Sequence, residues 1–417
     1  MKKLFLLFVF AALVQALFAQ SVSKTYEYRN GSWYNGTDFT NATWYVAKGN
    51  FSKKAPAKID SIIDLGGRWV VPPMADVECS SLAGNPSASN SLKMYWEEGT
   101  FYLQILENTQ EGRAAVQGLL NKPGAPDAIF GNGAITCSMG YPFLKYEGPA
   151  QGVRNPQQWG AKYDKIKTGR KMLGDGYWFI DNKDALDVNW DKIKAQKPGV
   201  IGIYLLDAEK NGGKEGKGLT PDMAKAIVKK AHKADLRVYA HVETAADLQL
   251  GLKLGVDGFA NLPGFNWDGS GDVKKYELSD DDLKKLAKKD IPVVPLFSHA
   301  QTTAPAPAVT TFHTTTFKRL LDNNVFVVLG SDDLQRTGRA ELAYWFNLGT
   351  LEYGKILKIL CENSPRAIFP KRKIGKIEDG YEASFLVLDD NPLVNIMKLR
   401  AISFKVKNGV VIPAVNK

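Results

Sequence analysis

Eight short apolar runs, each followed by a loop and a longer helical pattern, constrain this chain more than any other feature. They cover residues 70–74, 101–106, 127–135, 200–206, 238–242, 258–262, 293–297 and 325–329. Most are continuously apolar and β-branched rather than alternating, as strands covered on both faces of a parallel sheet should be. Helical patterns intervene at 221–234, with Thr220 as N-cap and Pro221 at the first helical position, and at 245–254, 279–289 and 353–361. Eight strands with helical crossovers over about 300 residues predict an α/β chain closed into a (β/α)8 TIM-type barrel. An open doubly wound sheet is the rival, but no GxGxxG turn follows the first strand.

The two flanks of the barrel region have a different rhythm. Residues 20–69 carry short stretches rich in Tyr, Trp, Thr and Asn, and residues 371–417 return to strand-like runs at 385–388, 401–407 and 410–412. A small flanking β-sandwich built from both chain ends is expected, with the barrel over 70–370. Residues 1–19 look like an export signal: Lys2 and Lys3, an apolar stretch from Leu4 to Val14, and Ala19 before Gln20. The apolar run is too short for a membrane anchor, which needs about 18 residues. The chain is therefore expected to be exported, periplasmic or secreted. Its N-x-S/T sites at Asn30, Asn35, Asn41 and Asn50 would matter only in a eukaryotic secretory route.

Residue counts remove several functions. Three cysteines, Cys79, Cys137 and Cys361, make neither a disulfide framework nor a CxxC pair. The four histidines, His232, His241, His299 and His313, form no HxH or HExxH motif. The formal charge of +10 is scattered in runs such as Lys229-Lys230 and Lys371-Arg372-Lys373, which read as solvated faces. No nucleic-acid partner is expected. A small-molecule substrate or ligand is, and homo-oligomerisation is left open.

Three stretches resemble the amidohydrolase superfamily, in its imidazolonepropionase-like branch. The segment from Asp64 to Glu78 (DLGGRWVVPPMADVE) is similar to that family's first-strand signature, and the tail from Ile374 to Leu393 to its closing signature. Between them, Ala240-His241-Val-Glu-Thr, Gly255-Val-Asp-Gly258 and Gly330-Ser-Asp332 fall where the fifth-, sixth- and eighth-strand motifs belong. The resemblance implies one or two divalent metals at the C-terminal mouth of the barrel. The usual ligands are two histidines on strand one, a carboxylated lysine on strand four, histidines on strands five and six, and an aspartate on strand eight. Such a metal makes hydroxide available near neutral pH.

Carried over position by position, the ligand set is depleted. Glu78 and Ser80 stand at the strand-one histidines, Gly202 at the lysine and Asn261 at the strand-six histidine, while His241 and Asp332 are retained. A glycine cannot bridge two cations, so a binuclear centre is not expected. What the resemblance implies is at most one divalent metal, zinc first, on Glu78, His241 and Asp332, or none, with Glu78 and His241 pairing or hydrogen-bonding across a polar mouth. Asp332 would shuttle protons together with His241, and Ser80 and Asn261 would contact substrate. Asp333 rivals Asp332 as a helix cap. The stretch 302–311 is expected to be a loop over the mouth, and either His299 or His313 beside it could supply a ligand. Gly131-Asn-Gly133 reads as the exit turn of strand three, and Tyr177 and Trp178 as core. Two functions follow: an exported hydrolase of carbon–nitrogen bonds in amides or cyclic amides, or an inactive relative that binds a small ligand.

Overall fold

A computed structural model describes residues 24–84, 88–206, 218–300, 306–349 and 352–413. The expected export signal lies outside the described residues, as does 302–305 of the expected mouth loop. From Pro307 that stretch is not loop but the start of the helix Pro307–Asp322, because a proline with no N–H to lose suits the first helical turn. No helix among the described residues is long and apolar enough to cross a membrane.

The chain divides into two compact units, one of residues 1–72, 376–391 and 398–417, the other of 73–375 and 392–397. The first unit is the β-sandwich built from N- and C-terminal strands. Its described strands run in the order Val410–Pro413, Ile402–Lys407, Phe385–Leu388, Trp69–Val71, Tyr26–Tyr34, Phe39–Ala47 and Asn50–Ser52, with Ser61–Asp64 also on Tyr26–Tyr34. Alternation of large aromatics with polar residues buries Tyr28, Trp33, Trp44, Phe51 and Phe385 together. Their rings meet mainly edge to face at 5.1–6.3 Å, except the stacked pair Phe51–Phe385. Gly31 is required in this core, since a Cβ there would lie 2.4 Å from the Leu65 side chain.

The second unit is the barrel. Met74–Asp76 pairs with Thr100–Ile105, which pairs with Asp127–Phe130. Ile201–Tyr204 pairs with Val238–His241, and that strand with Gly258–Phe259. Parallel bridges carry the ring on from Phe259 to Val293 and from Val293 to Val327. Two backbone bonds close it: Gly199 N–H to the Phe130 carbonyl at 2.8 Å, and Val77 N–H to the Leu329 carbonyl at 2.8 Å.

Two details depart from the sequence reading. Residues 69–71 are not the first barrel strand but pair antiparallel with Phe385–Leu388; the barrel strand begins at Met74, after Pro72 and Pro73 interrupt the ladder. Strand three does not end at Gly131-Asn-Gly133. It kinks there and resumes as Ala134–Thr136, with Asn132 at φ 63°. A Cβ on Gly131 would sit 2.2 Å from the Leu106 carbonyl oxygen, so only glycine permits the approach. The resumed strand pairs with Tyr177–Phe179, which places Tyr177 and Trp178 in the core. Capping boxes at Thr244/Asp247 and Ser279/Asp282 start the helices after strands five and six.

Candidate active site

Glu78, Ser80, His241, Asn261 and Asp332 all lie at or just past the C-terminal end of a barrel strand. Glu78 and Ser80 follow Met74–Asp76, His241 ends Val238–His241, Asn261 follows Gly258–Phe259, and Asp332 follows the bridge at Val327. Strand alternation sends Glu78 and Ser80 to the mouth and Cys79 into a cluster with Leu82, Leu92 and Leu103. A cavity of about 510 Å³ opens here, lined in part by Ser80, Lys145, Tyr204, His241, His299 and Asp332.

Backbone bonds hold the first and eighth strand ends together. The N–H groups of Ser331 and Asp332 both donate to the Glu78 carbonyl, at 3.1 and 2.7 Å. Asp332 is thereby held at φ 37°, a left-handed conformation that costs energy for a non-glycine residue and that clusters at functional sites. Its Oδ1 accepts the Ser80 hydroxyl at 2.5 Å. Asp333 instead accepts the N–H groups of Gln335 and Arg336, both at 2.8 Å, and so serves the local turn. Beneath them Asp76 accepts from Glu78 N–H at 3.1 Å, Ser331 N–H at 3.1 Å and the Tyr95 hydroxyl at 3.0 Å. Burial pushes the Asp76 carboxyl up to about 7, although those hydrogen bonds pull the other way.

Glu78 and His241 face each other, with Oε1 and Nδ1 3.4 Å apart. Both are buried, at 2% and 7% exposure, yet neither oxygen of Glu78 nor Nε2 of His241 has a hydrogen-bond partner among the described residues. Native proteins rarely leave such groups unmatched. Burial raises the Glu78 carboxyl well above the usual range, and the nearby charges of Asp332 and Glu107 raise it further. Burial also lowers His241, against the pull of Glu107 and Asp332. Both shifts favour the uncharged forms of the pair.

Three functional residues escaped the sequence reading. Glu107, just past Thr100–Ile105, pairs with Lys145 of the helix Phe143–Ala150 and accepts the Tyr204 hydroxyl at 2.5 Å. The Tyr204 ring stacks on His241 at 4.2 Å, almost parallel. Burial lowers Lys145, but Glu107, Tyr141, Tyr146 and Asp332 together outweigh it and hold the ammonium well above its ordinary pKa. The one available signal was Glu107 just beyond an apolar strand, where a charge needs a reason.

Other expected contributors serve the framework. Asn261 clamps a neighbouring strand: its oxygen accepts Val242 N–H at 3.1 Å and its amide donates to the Val242 carbonyl. It borders the cavity, and each of those groups has capacity for a second hydrogen bond. His313 uses both ring nitrogens, with Tyr344 at 2.7 Å and the Gly264 carbonyl at 3.1 Å. His299 lines the cavity with Nε2 bound to the Ser331 carbonyl at 2.9 Å.

The chain can now be set beside known proteins. A model of the amidohydrolase family matches residues 190–415, more than half its length. The chain belongs to the amidohydrolase family. Among curated relatives, ochratoxinase of Aspergillus niger is 23% identical over 257 residues, 59% of this chain and 50% of that protein, so the chain spans about half the length of the curated relatives it matches. Among solved structures, an amidohydrolase superposes with a TM-score of 0.71 at 17% identity, covering 94% of this chain and 100% of that one. A. niger ochratoxinase superposes at 0.70 with 16% identity over 94% and 96%. A Xaa-Pro dipeptidase does so at 0.69 with 14% identity over 94% and 100%. These likenesses establish the barrel fold and a β-sandwich domain.

Amidohydrolases are typically metal-dependent, and the residues at this mouth do not fit the family's metals. Among the described residues no group of three or more His, Cys, Asp or Glu side chains is placed to hold an ion. Of the three residues of the single-zinc set, Glu78 and His241 approach each other at 3.4 Å, while Asp332 is engaged by the Ser80 hydroxyl. Gly202, which the sequence resemblance puts at the bridging lysine, lies level with Tyr239, and a Cβ there would lie 2.9 Å from the Leu106 carbonyl oxygen.

Proposed function

We propose that this amidohydrolase hydrolyses a carbon–nitrogen bond of a small amide bound in the barrel-mouth cavity. The observation that carries the reading is the Glu78–His241 pair, buried and unpartnered, beside the Ser80–Asp332 hydrogen bond. Asp332 is the base: it takes a proton from the attacking water as the new carbon–oxygen bond forms. The same proton then goes to the departing nitrogen as the carbon–nitrogen bond breaks, so amide and water become acid and amine. Ser80 orients the Asp332 carboxylate. His241 offers an unoccupied Nε2, and a protonated Glu78 a hydroxyl, to the polar atoms of the ligand. Tyr141, Trp159 and Phe265 supply apolar wall for its substituents.

The second reading, a relative that binds without turnover, is favoured by one observation, the loss of the bridging position to Gly202. Names borne by the neighbours, among them Xaa-Pro dipeptidase, ochratoxinase and phenylurea hydrolase, suggest what to try. The test is amine release from N-acetyl amino acids, Xaa-Pro dipeptides, aryl ureas and cyclic amides. Release from at least one class is expected, falling about 100-fold or more in Asp332→Asn. No release from any class, with calorimetric binding of the same compounds intact, would transfer the conclusion to the binding protein.

A further inference from the structure

The mouth lacks a fitting metal set but does not lack a cation. We propose that the Lys145 ammonium, held by a Glu107 carboxylate that Tyr204 also binds, takes the place of the divalent ion and receives the carbonyl oxygen of the ligand. This rests on the reading of the mouth as a hydrolytic site.

Three observations carry it. First, Lys145 lines the cavity together with Ser80, Tyr204, His241 and Asp332, and its side chain is only 15% exposed. Its charge reaches the family's ligand positions, since it acts on both Glu78 and His241. Second, the ammonium is fixed. Glu107, 4% exposed, binds it through one oxygen, and the other oxygen accepts the Tyr204 hydroxyl at 2.5 Å, while the Tyr204 ring lies flat on His241. One of three N–H donors goes to Glu107, which leaves two for a ligand oxygen. Third, at Gly202, which the sequence resemblance puts at the family's bridging lysine, a Cβ would lie 2.9 Å from the Leu106 carbonyl oxygen.

A metal in this family polarises the carbonyl and stabilises the negative oxygen that forms when water adds. A desolvated, preoriented ammonium can do the second task by hydrogen bonding. In the step described above, Lys145 donates to the oxygen as it becomes anionic and is unchanged when the carbon–nitrogen bond breaks. A divalent ion bound beside a fixed ammonium would be repelled, so Lys145 and zinc exclude one another.

Zinc binding tests this without a known substrate. Purified full-length protein prepared without chelators is titrated with Zn²⁺ by calorimetry and its metal content measured. Wild type is expected to hold no zinc that depends on His241. Lys145→Met is expected to gain at least tenfold in Zn²⁺ affinity, and the gain to vanish in Lys145→Met/His241→Ala. One zinc per wild-type chain, lost in His241→Ala, would overturn the proposal, as would equal affinity of wild type and Lys145→Met. Should Lys145→Met fail to fold, the wild-type and His241→Ala metal contents decide alone. On any amide that is cleaved, wild-type turnover is expected to survive EDTA; turnover that needs added Zn²⁺ sinks the role of Lys145 and keeps the hydrolase. Zinc behaviour as expected with no amide cleaved keeps Lys145 as the site's cation and removes the hydrolase.

Discussion

Among the buried glutamates of this barrel, Glu341 and Glu78 have opposite surroundings. Glu341 is fully enclosed and accepts N–H groups from Phe297 at 2.9 Å, Ser298 at 2.7 Å and the Trp345 indole at 2.7 Å. Glu78 is enclosed to the same degree and accepts none. Burial raises the pKa of both. A satisfied acid is part of the scaffold, holding the end of strand seven to the helix Arg339–Leu348. An unsatisfied one costs stability, and that cost is explained if a ligand supplies the missing partners. The histidines repeat the contrast, with His313 bonded at both nitrogens and His241 free at Nε2.

That contrast breaks or sharpens under substitution. The largest effect is expected at Glu107, whose loss in Glu107→Leu strands the buried Lys145 charge and costs about 3–5 kcal/mol in denaturant unfolding. Glu341→Leu leaves three N–H groups unpaired and should cost about 3 kcal/mol. Asn261→Ala removes a buried two-way clamp on Val242 and should cost about 1–3 kcal/mol; a neutral result would free Asn261 for ligand contact after all. Glu78→Gln should have the smallest effect, and one that depends on pH. A carboxyl whose folded pKa is raised contributes stability in full below its unfolded value of about 4.3 and loses it as pH rises towards the folded value. Wild type should therefore match Glu78→Gln in melting temperature near pH 4 and fall below it at pH 8. A wild type that gains on the variant as pH rises would mean that Glu78 is satisfied.

The sequence shows the framework because framework residues repeat. Five of the eight apolar runs overlap barrel strands in place and two more carry the parallel bridges at Val293 and Val327, and Thr220, Thr244 and Ser279 cap the helices they precede. The first run was misplaced because Val70 and Val71 suit either sheet; only tertiary pairing with Phe385–Leu388 decides between them. Half of the mouth was also legible, since Glu78, Ser80, His241 and Asp332 sit inside motifs. Lys145 was not. It comes from a helix that follows a kinked strand, and what makes it part of the site is a partner 38 residues away. Among so many lysines no local pattern marks the one that is buried.

The most direct measurement is NMR of histidine ring nitrogens in the full-length protein, assigned by single His→Gln variants, with and without an amide that binds. The account expects both His241 and His313 to stay neutral below the usual histidine range, and only the His241 Nε2 signal to move when the amide is added. Movement of His313, or no movement of His241 at saturation, would contradict it.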